Sequence, residues 1–122
     1  MTNNKQKEGN EMNKSSTIKI DEFKLVKSLL KKMSFKPLAQ SNGTKNGVDI
    51  WALKNGRVYS IEVKKAKPMK GNNFQIRAIE QNRKKDDFIA VVLPSGYVFI
   101  ESMKDHLKCC SPKGTRNLHG YS

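Results

Sequence analysis

Two carboxylates and a lysine stand out by type and spacing: Asp49, then Glu62, with Lys64 two residues further on. They sit on either side of Asn55-Gly56, in two strand-like runs, Gly47 to Lys54 and Arg57 to Lys64. Asn-Gly between such runs marks a two-residue type I′ turn, because both central residues must take positive φ. Counting outward sets Lys54 against Arg57, Leu53 against Val58, Trp51 against Ser60 and Asp49 against Glu62. Opposed residues share one side of a sheet with Cβ atoms roughly 5 Å apart, and like charges placed so destabilise the pair by up to about 1 kcal/mol. Strand alternation puts Lys64 on the same side. A divalent cation would compensate the two acids, since magnesium takes carboxylate oxygens and keeps waters for a substrate. A lysine beside it can orient water and stabilise charge developing on a phosphate. The pattern is that expected of metal-dependent phosphodiester hydrolysis. The plain alternatives are a lysine that merely neutralises the acids, or a slipped register that separates them.

The flanking sequence supplies elements to hold this hairpin. Asp21 is placed to cap a helix whose apolar stripe is Phe23, Val26 and Leu30, with Leu25, Leu29 and Met33. Lys24, Lys27, Lys31 and Lys32 fall largely on its other face. Glu22 lies in the first turn, where a carboxylate complements the helix dipole; its other reading is a supporting ligand of a metal or water. Phe35 to Gln40 reads as a short strand, and the polar loop Ser41 to Gly47 could bring backbone amides and small hydroxyls to a phosphate. After the hairpin, Lys64 to Gly71 is a basic turn. Asn72 or Asn73 is then expected to cap a second helix running to about Lys85, with Gln75 on its first turn. Phe88 to Leu93 is a continuous apolar run suited to a strand buried on both faces. Pro94-Ser95-Gly96 turns the chain into a strand at Tyr97 to Ile100, and Ser102 caps a short helix, Met103 to Lys108. The expected fold is α/β, a mixed sheet flanked by helices in the order α-β-β-β-α-β-β-α. A parallel return from the hairpin to Phe88 would make a right-handed crossover. Residues 1–17 read as a polar, basic tail, 18–108 as one domain and 109–122 as a loose tail.

Composition narrows the partners. Across 122 residues, 24 Lys and Arg stand against 11 Asp and Glu, a formal net charge of +13. Such an excess favours a polyanion, nucleic acid above all; the simpler reading is a lysine-rich solubilising surface. No apolar run is long enough to span a membrane, and the N-terminus lacks the apolar core of a secretory signal. Two adjacent cysteines make no disulfide framework. A cytoplasmic chain is therefore expected. His106, Cys109, Cys110 and His119 are zinc-ligand types, but the usual paired spacing is missing.

Gly47-Val48-Asp49-Ile50, Ile61-Glu62-Val63-Lys64-Lys65 and Phe74-Gln75-Ile76 resemble the motifs of the PD-(D/E)xK nuclease superfamily, with its restriction-endonuclease-like core. Within it the chain looks most like small VRR-NUC nucleases and, more distantly, archaeal Holliday junction resolvases. The likeness runs from about Ile20 to Leu107. It implies that Asp49, Glu62 and the Val63 backbone carbonyl bind magnesium, with manganese as a substitute, while Lys64 assists the attacking water. It further implies that Gln75 completes the catalytic set and that Glu22 supports the metal. Ser41, Asn42, Lys45, Lys65, Lys67, Lys70 and Arg77 would contact nucleic acid. Val48 stands where proline gives the motif its name, and Glu22 matches only loosely. Little lies beyond the core, which implies recognition of backbone shape or DNA structure, as in a junction resolvase, or dependence on a partner, rather than recognition of sequence. A homodimer is also implied, because cleaving two strands calls for two sites. The expected function is a magnesium-dependent DNA endonuclease; the alternative is a non-catalytic nucleic-acid-binding module on the same fold.

Overall fold

The structure, a computed structural model, describes residues 21–39 and 47–119. Helix α1, Glu22–Lys32, starts at the anticipated cap: the Asp21 side chain accepts a hydrogen bond from the Lys24 N–H at 3.1 Å. Glu22 in the first turn and Lys31 and Lys32 in the last complement the helix dipole. Val26 and Leu30 form its buried stripe. Strands β1 (Lys36–Pro37), β2 (Ile50–Lys54) and β3 (Arg57–Lys65) follow. Asn55 and Gly56 take φ of 53° and 78°, the double positive φ of a type I′ turn. Pairing runs from Lys54 opposite Arg57 to Ile50 opposite Ile61, the register counted from the turn.

Beyond β3 the chain departs from expectation. No second helix forms over 72–85. Instead β4 (Lys67–Pro68) pairs with β5 (Phe74–Ile76), and only a 3-10 turn, Gln81–Arg83, precedes β6 (Phe88–Val92). Phe74 and Ile76 alternate with Asn73, Gln75 and Arg77, the period of a half-buried strand, and this outweighs the helical spacing of Phe74 with Ala78. β7 (Val98–Ser102) and α2 (Met103–Lys108) follow as read, with the Ser102 hydroxyl capping α2 through the Asp105 N–H at 3.0 Å. The tail expected to be loose carries β8 (Arg116–Leu118), which pairs antiparallel with β5. The element order is thus α-β-β-β-β-β-β-β-α-β.

Two sheets result: a mixed five-stranded sheet ordered β1-β2-β3-β6-β7 and a three-stranded one ordered β4-β5-β8. β6 lies parallel to β3, with Glu62 beside Ile89. On one face of the large sheet Ile50, Ala52, Ile61, Ala90 and Val92 pack under Val26, Leu30 and Phe35. On the other, Ile89, Val91 and Leu93 meet Met103 together with Ile76, Ile79 and Leu118 from around the small sheet. β6 is therefore buried on both sides, as its unbroken apolar run requires. Alternation assigns Glu62 and Lys64 to the second face, away from α1. Among the described residues no helix is long and apolar enough to cross a membrane.

Candidate functional site

Asp49 immediately precedes β2, fixed between buried Val48 and Ile50. Its Oδ2 accepts the Val63 N–H at 2.8 Å, holding the carboxylate across the hairpin beside Glu62. Glu62 is only 7 % exposed, and its Oε1 is buried with no hydrogen-bond partner. Burial first, then the charge of Asp49 and a hydrogen bond with it, push the Glu62 carboxyl up to about 8; Lys64 pulls it down and Asp86 adds to the rise. At neutral pH Glu62 therefore retains a proton next to Asp49. A buried carboxyl that favours holding a proton beside a second acid is a place where a cation can substitute for that proton.

A third carboxylate borders the pair. Asp86 is 5 % exposed, and burial raises its pKa against the lowering effects of Arg83 and of a hydrogen bond from Ser60. Asp49 and Asp87 add to the rise. Arg83 lies 3.8 Å from Asp86 Oδ2 and is itself buried. Its guanidinium also lies against Gly47, where an added Cβ would come within 3.2 Å of Arg83 Cζ and the backbone has a φ of +76°. Gly47 thus permits the close approach of Arg83 to the chain just ahead of Asp49. Asp87 fastens the same loop to β3: its Oδ2 accepts the Ser60 N–H at 2.9 Å, and its own N–H donates to the Ser60 hydroxyl at 3.1 Å. Sequence reading passed over Arg83 and Asp86. The available signal was their position directly before an apolar strand parallel to the one bearing Glu62.

The donor set fits a hard divalent cation. Asp49 and Glu62 offer carboxylate oxygens, one of them buried and unpartnered. Among the described residues no group of three or more His, Cys, Asp or Glu side chains is arranged to hold a metal, but magnesium needs only one or two carboxylates and retains waters.

Other anticipated residues fall elsewhere. Glu22 pairs with Lys65 at 3.5 Å on the α1 face, opposite Glu62, because Lys65 alternates with Lys64 along β3. Gln75 is on strand β5, not a helix, and its Nε2 lies 3.4 Å from Asn117 Oδ1; it is engaged by β8 rather than by the acidic pair. Lys65, Lys67, Lys70 and Arg77 are exposed along β3 to β5. Ser41, Asn42 and Lys45 lie outside the described residues. Three of the four zinc-type residues are separately engaged, and Cys109 is exposed. His106 Nδ1 is 3.3 Å from Glu101, Cys110 Sγ donates to the His106 carbonyl oxygen, and His119 Nδ1 is 3.0 Å from Asn73 Oδ1.

No protein-family model matches the chain, and no curated protein matches it in sequence. A solved structure does: that of a bacterial homing endonuclease, I-Ssp6803I, at 14 % identity and a TM-score of 0.66, covering 83 % of this chain and 72 % of that one. At so low an identity the likeness speaks for the fold, and the chain shares the α/β fold of that endonuclease.

Proposed function

We propose that the protein is a metal-dependent DNA endonuclease that hydrolyses phosphodiester bonds at Asp49, Glu62 and Lys64. The observation that carries this reading is the buried Glu62 carboxyl, proton-retaining and partly unpartnered beside Asp49, in a fold shared with an endonuclease. Asp49, Glu62 and the Val63 carbonyl would hold magnesium, with manganese able to replace it. When bound, such an ion polarises a phosphoryl oxygen and makes a coordinated water more acidic. Lys64 orients the attacking water and places positive charge where the phosphate gains negative charge. Arg83 acts by position, holding Asp86 and the Gly47 backbone so that the approach to Asp49 keeps its shape. Lys65, Lys67, Lys70 and Arg77 neutralise phosphates of the bound strand, a salt-sensitive contribution. Cutting both strands of a duplex calls for two such sites, which a homodimer supplies. The resemblance to junction resolvases makes a branched molecule the preferred substrate.

The test is cleavage of labelled four-way junction, flap, plain duplex and single-stranded DNA, each with magnesium, manganese or EDTA. Cutting is expected with either metal, absent in EDTA, and lost to background in Asp49→Ala and Glu62→Ala, with binding retained. Undiminished metal-dependent cutting by either variant would remove the assignment. Salt-dependent binding of every DNA form without cutting would identify a non-catalytic module.

A further inference from the structure

The small sheet β4-β5-β8 has one face in the core and one in solvent. Ile76 and Leu118 anchor the inner face, and the Arg116 guanidinium, on the same side as Ile76, is hydrogen-bonded to Glu101 of β7. On the outer face the register sets Lys67, Gln75 and Asn117 in one row across all three strands. Asn73 and His119 form the next row, joined by their 3.0 Å contact. Arg77 follows at the exposed end of β5.

This composition is unusual for a merely solvated sheet face. Asn is a poor strand former, and well-soluble surfaces intersperse charges of both signs. Here the two segments that build the sheet, 66–79 and 106–119, contain six Lys and Arg and no Asp or Glu. The chain's 11 acidic residues all lie outside them. A face free of negative charge, carrying amide groups that donate and accept at once, matches a polyanion whose interior edges present paired donors and acceptors. Duplex DNA is that partner: Asn and Gln pair bidentately with adenine N6 and N7 in the major groove. The dimensions agree. A groove about 12 Å wide admits a two-stranded ribbon; β5 and β8, about 4.8 Å apart, would fill it, with Lys67 of β4 at its edge. The major groove of A-form RNA is too narrow and deep for side chains to read.

Asn73 is held within the sheet, its Nδ2 donating to the Lys70 carbonyl oxygen at 2.9 Å and its Oδ1 in contact with His119. We propose that the outer face of the β4-β5-β8 sheet, through Gln75 and Asn117, enters the major groove of duplex DNA and reads base edges. Lys67 and Arg77 hold the flanking phosphates. This gives the protein a sequence preference on the duplex next to the cleaved bond. It rests on the reading of the chain as a DNA endonuclease and adds to the preference for branched DNA a base discrimination which that reading does not contain.

The test uses the full chain and a pool of duplexes with a randomised centre, bound in EDTA so that nothing is cut; the retained DNA is then sequenced. The wild type is expected to enrich a short motif containing adenines. Gln75→Ala and Asn117→Ala should each flatten the preference at one position by about 5- to 100-fold, with little change in affinity for the pool. Lys67→Ala should instead weaken all sequences alike and reduce the salt slope by about one. Lys67 and Asn117 are exposed and Gln75 is half-buried on the outer face, so the variants should stay close to the wild-type melting temperature. Absence of a motif in the wild type, a motif unchanged in both amide variants, or tighter binding to duplex RNA would overturn the proposal. Cutting that depends on Asp49 and Glu62 would survive any of those results, leaving the nuclease reading in place. A chain that neither binds the pool nor cuts any DNA would remove both.

Discussion

The β2–β3 hairpin and the β4-β5-β8 sheet use polar residues in opposite ways. The hairpin forces Asp49 and Glu62 together under cover, where burial and mutual repulsion keep a proton on Glu62. The small sheet spreads neutral amides and cations over a solvent-facing surface and leaves its apolar residues on the other side. The first arrangement stores electrostatic tension that a bound cation would relieve; the second stores none and offers many weak contacts. The chemistry proposed at one point and the recognition proposed over an area need these two different environments, and the two regions adjoin along β3 and β4.

The sharpest way to break that comparison is to ask whether the two regions fold as one. Ile76, wholly buried beneath the small sheet, shares a cluster with Ile89 and Val91 of the large one. Ile76→Ala should therefore cost about 2–5 kcal/mol of global stability, seen as a single urea transition moved to lower concentration. Two separate transitions would show that the small sheet folds independently.

The next effect concerns the tension at Glu62. Its folded-state pKa of about 8 lies above its ordinary 4.5, so across that interval the folded chain binds a proton that the unfolded chain has released. Stability contributed by the protonated group is fully present below pH 4.5 and is lost as pH rises toward 8. The metal-free protein should melt several degrees lower at pH 8 than at pH 5, and Glu62→Gln should flatten most of this slope while abolishing cleavage. Magnesium binding, which displaces the proton, should tighten with pH over the same range. A wild-type slope indistinguishable from that of Glu62→Gln would remove Glu62 as the strained group.

The smallest effect tests the support for Asp49. Gly47→Ala combines a positive φ with a Cβ 3.2 Å from Arg83 and should cost about 1–2 kcal/mol, together with weakened magnesium binding by titration. Gly56→Ala offers the control, since it has a similar φ of +78° but nothing within 4 Å of the added Cβ. It should lose stability without losing metal affinity. Equal metal affinity in the two variants would deny Arg83 its positioning role.

What the sequence discloses follows the same division. The hairpin is legible because its turn, register and acids lie within a few residues of Asn55-Gly56, and each signal is local. The two helices are legible through Asp21 and Ser102, whose side chains cap the first turns, and β6 through an apolar run that suits double burial. β5 is not, because the strand that stabilises it, β8, lies forty residues further along the chain, and a two-residue alternation at Phe74 and Ile76 competes with a helical one. Placing Gln75 on a helix led directly to its placement beside the acids, whereas strand geometry turns it toward Asn117. In the sequence Arg83 falls near the end of the expected second helix and Asp86 in the connection after it, and neither stands out. Only the parallel pairing of β3 with β6, a long-range event, carries Asp86 toward Glu62.

The late position of β8 has a consequence for how the protein is made. A ribosome adding about 5–20 residues per second delivers Arg116 roughly 2–8 s after Ile76. Throughout that interval β5 has an open edge, and an open edge is a template for pairing with another chain. Folding and self-association thus compete for the same backbone groups during synthesis. Damage to the last described strand should be felt first in the yield of dispersed protein, before any change in the chemistry proposed at Asp49 and Glu62.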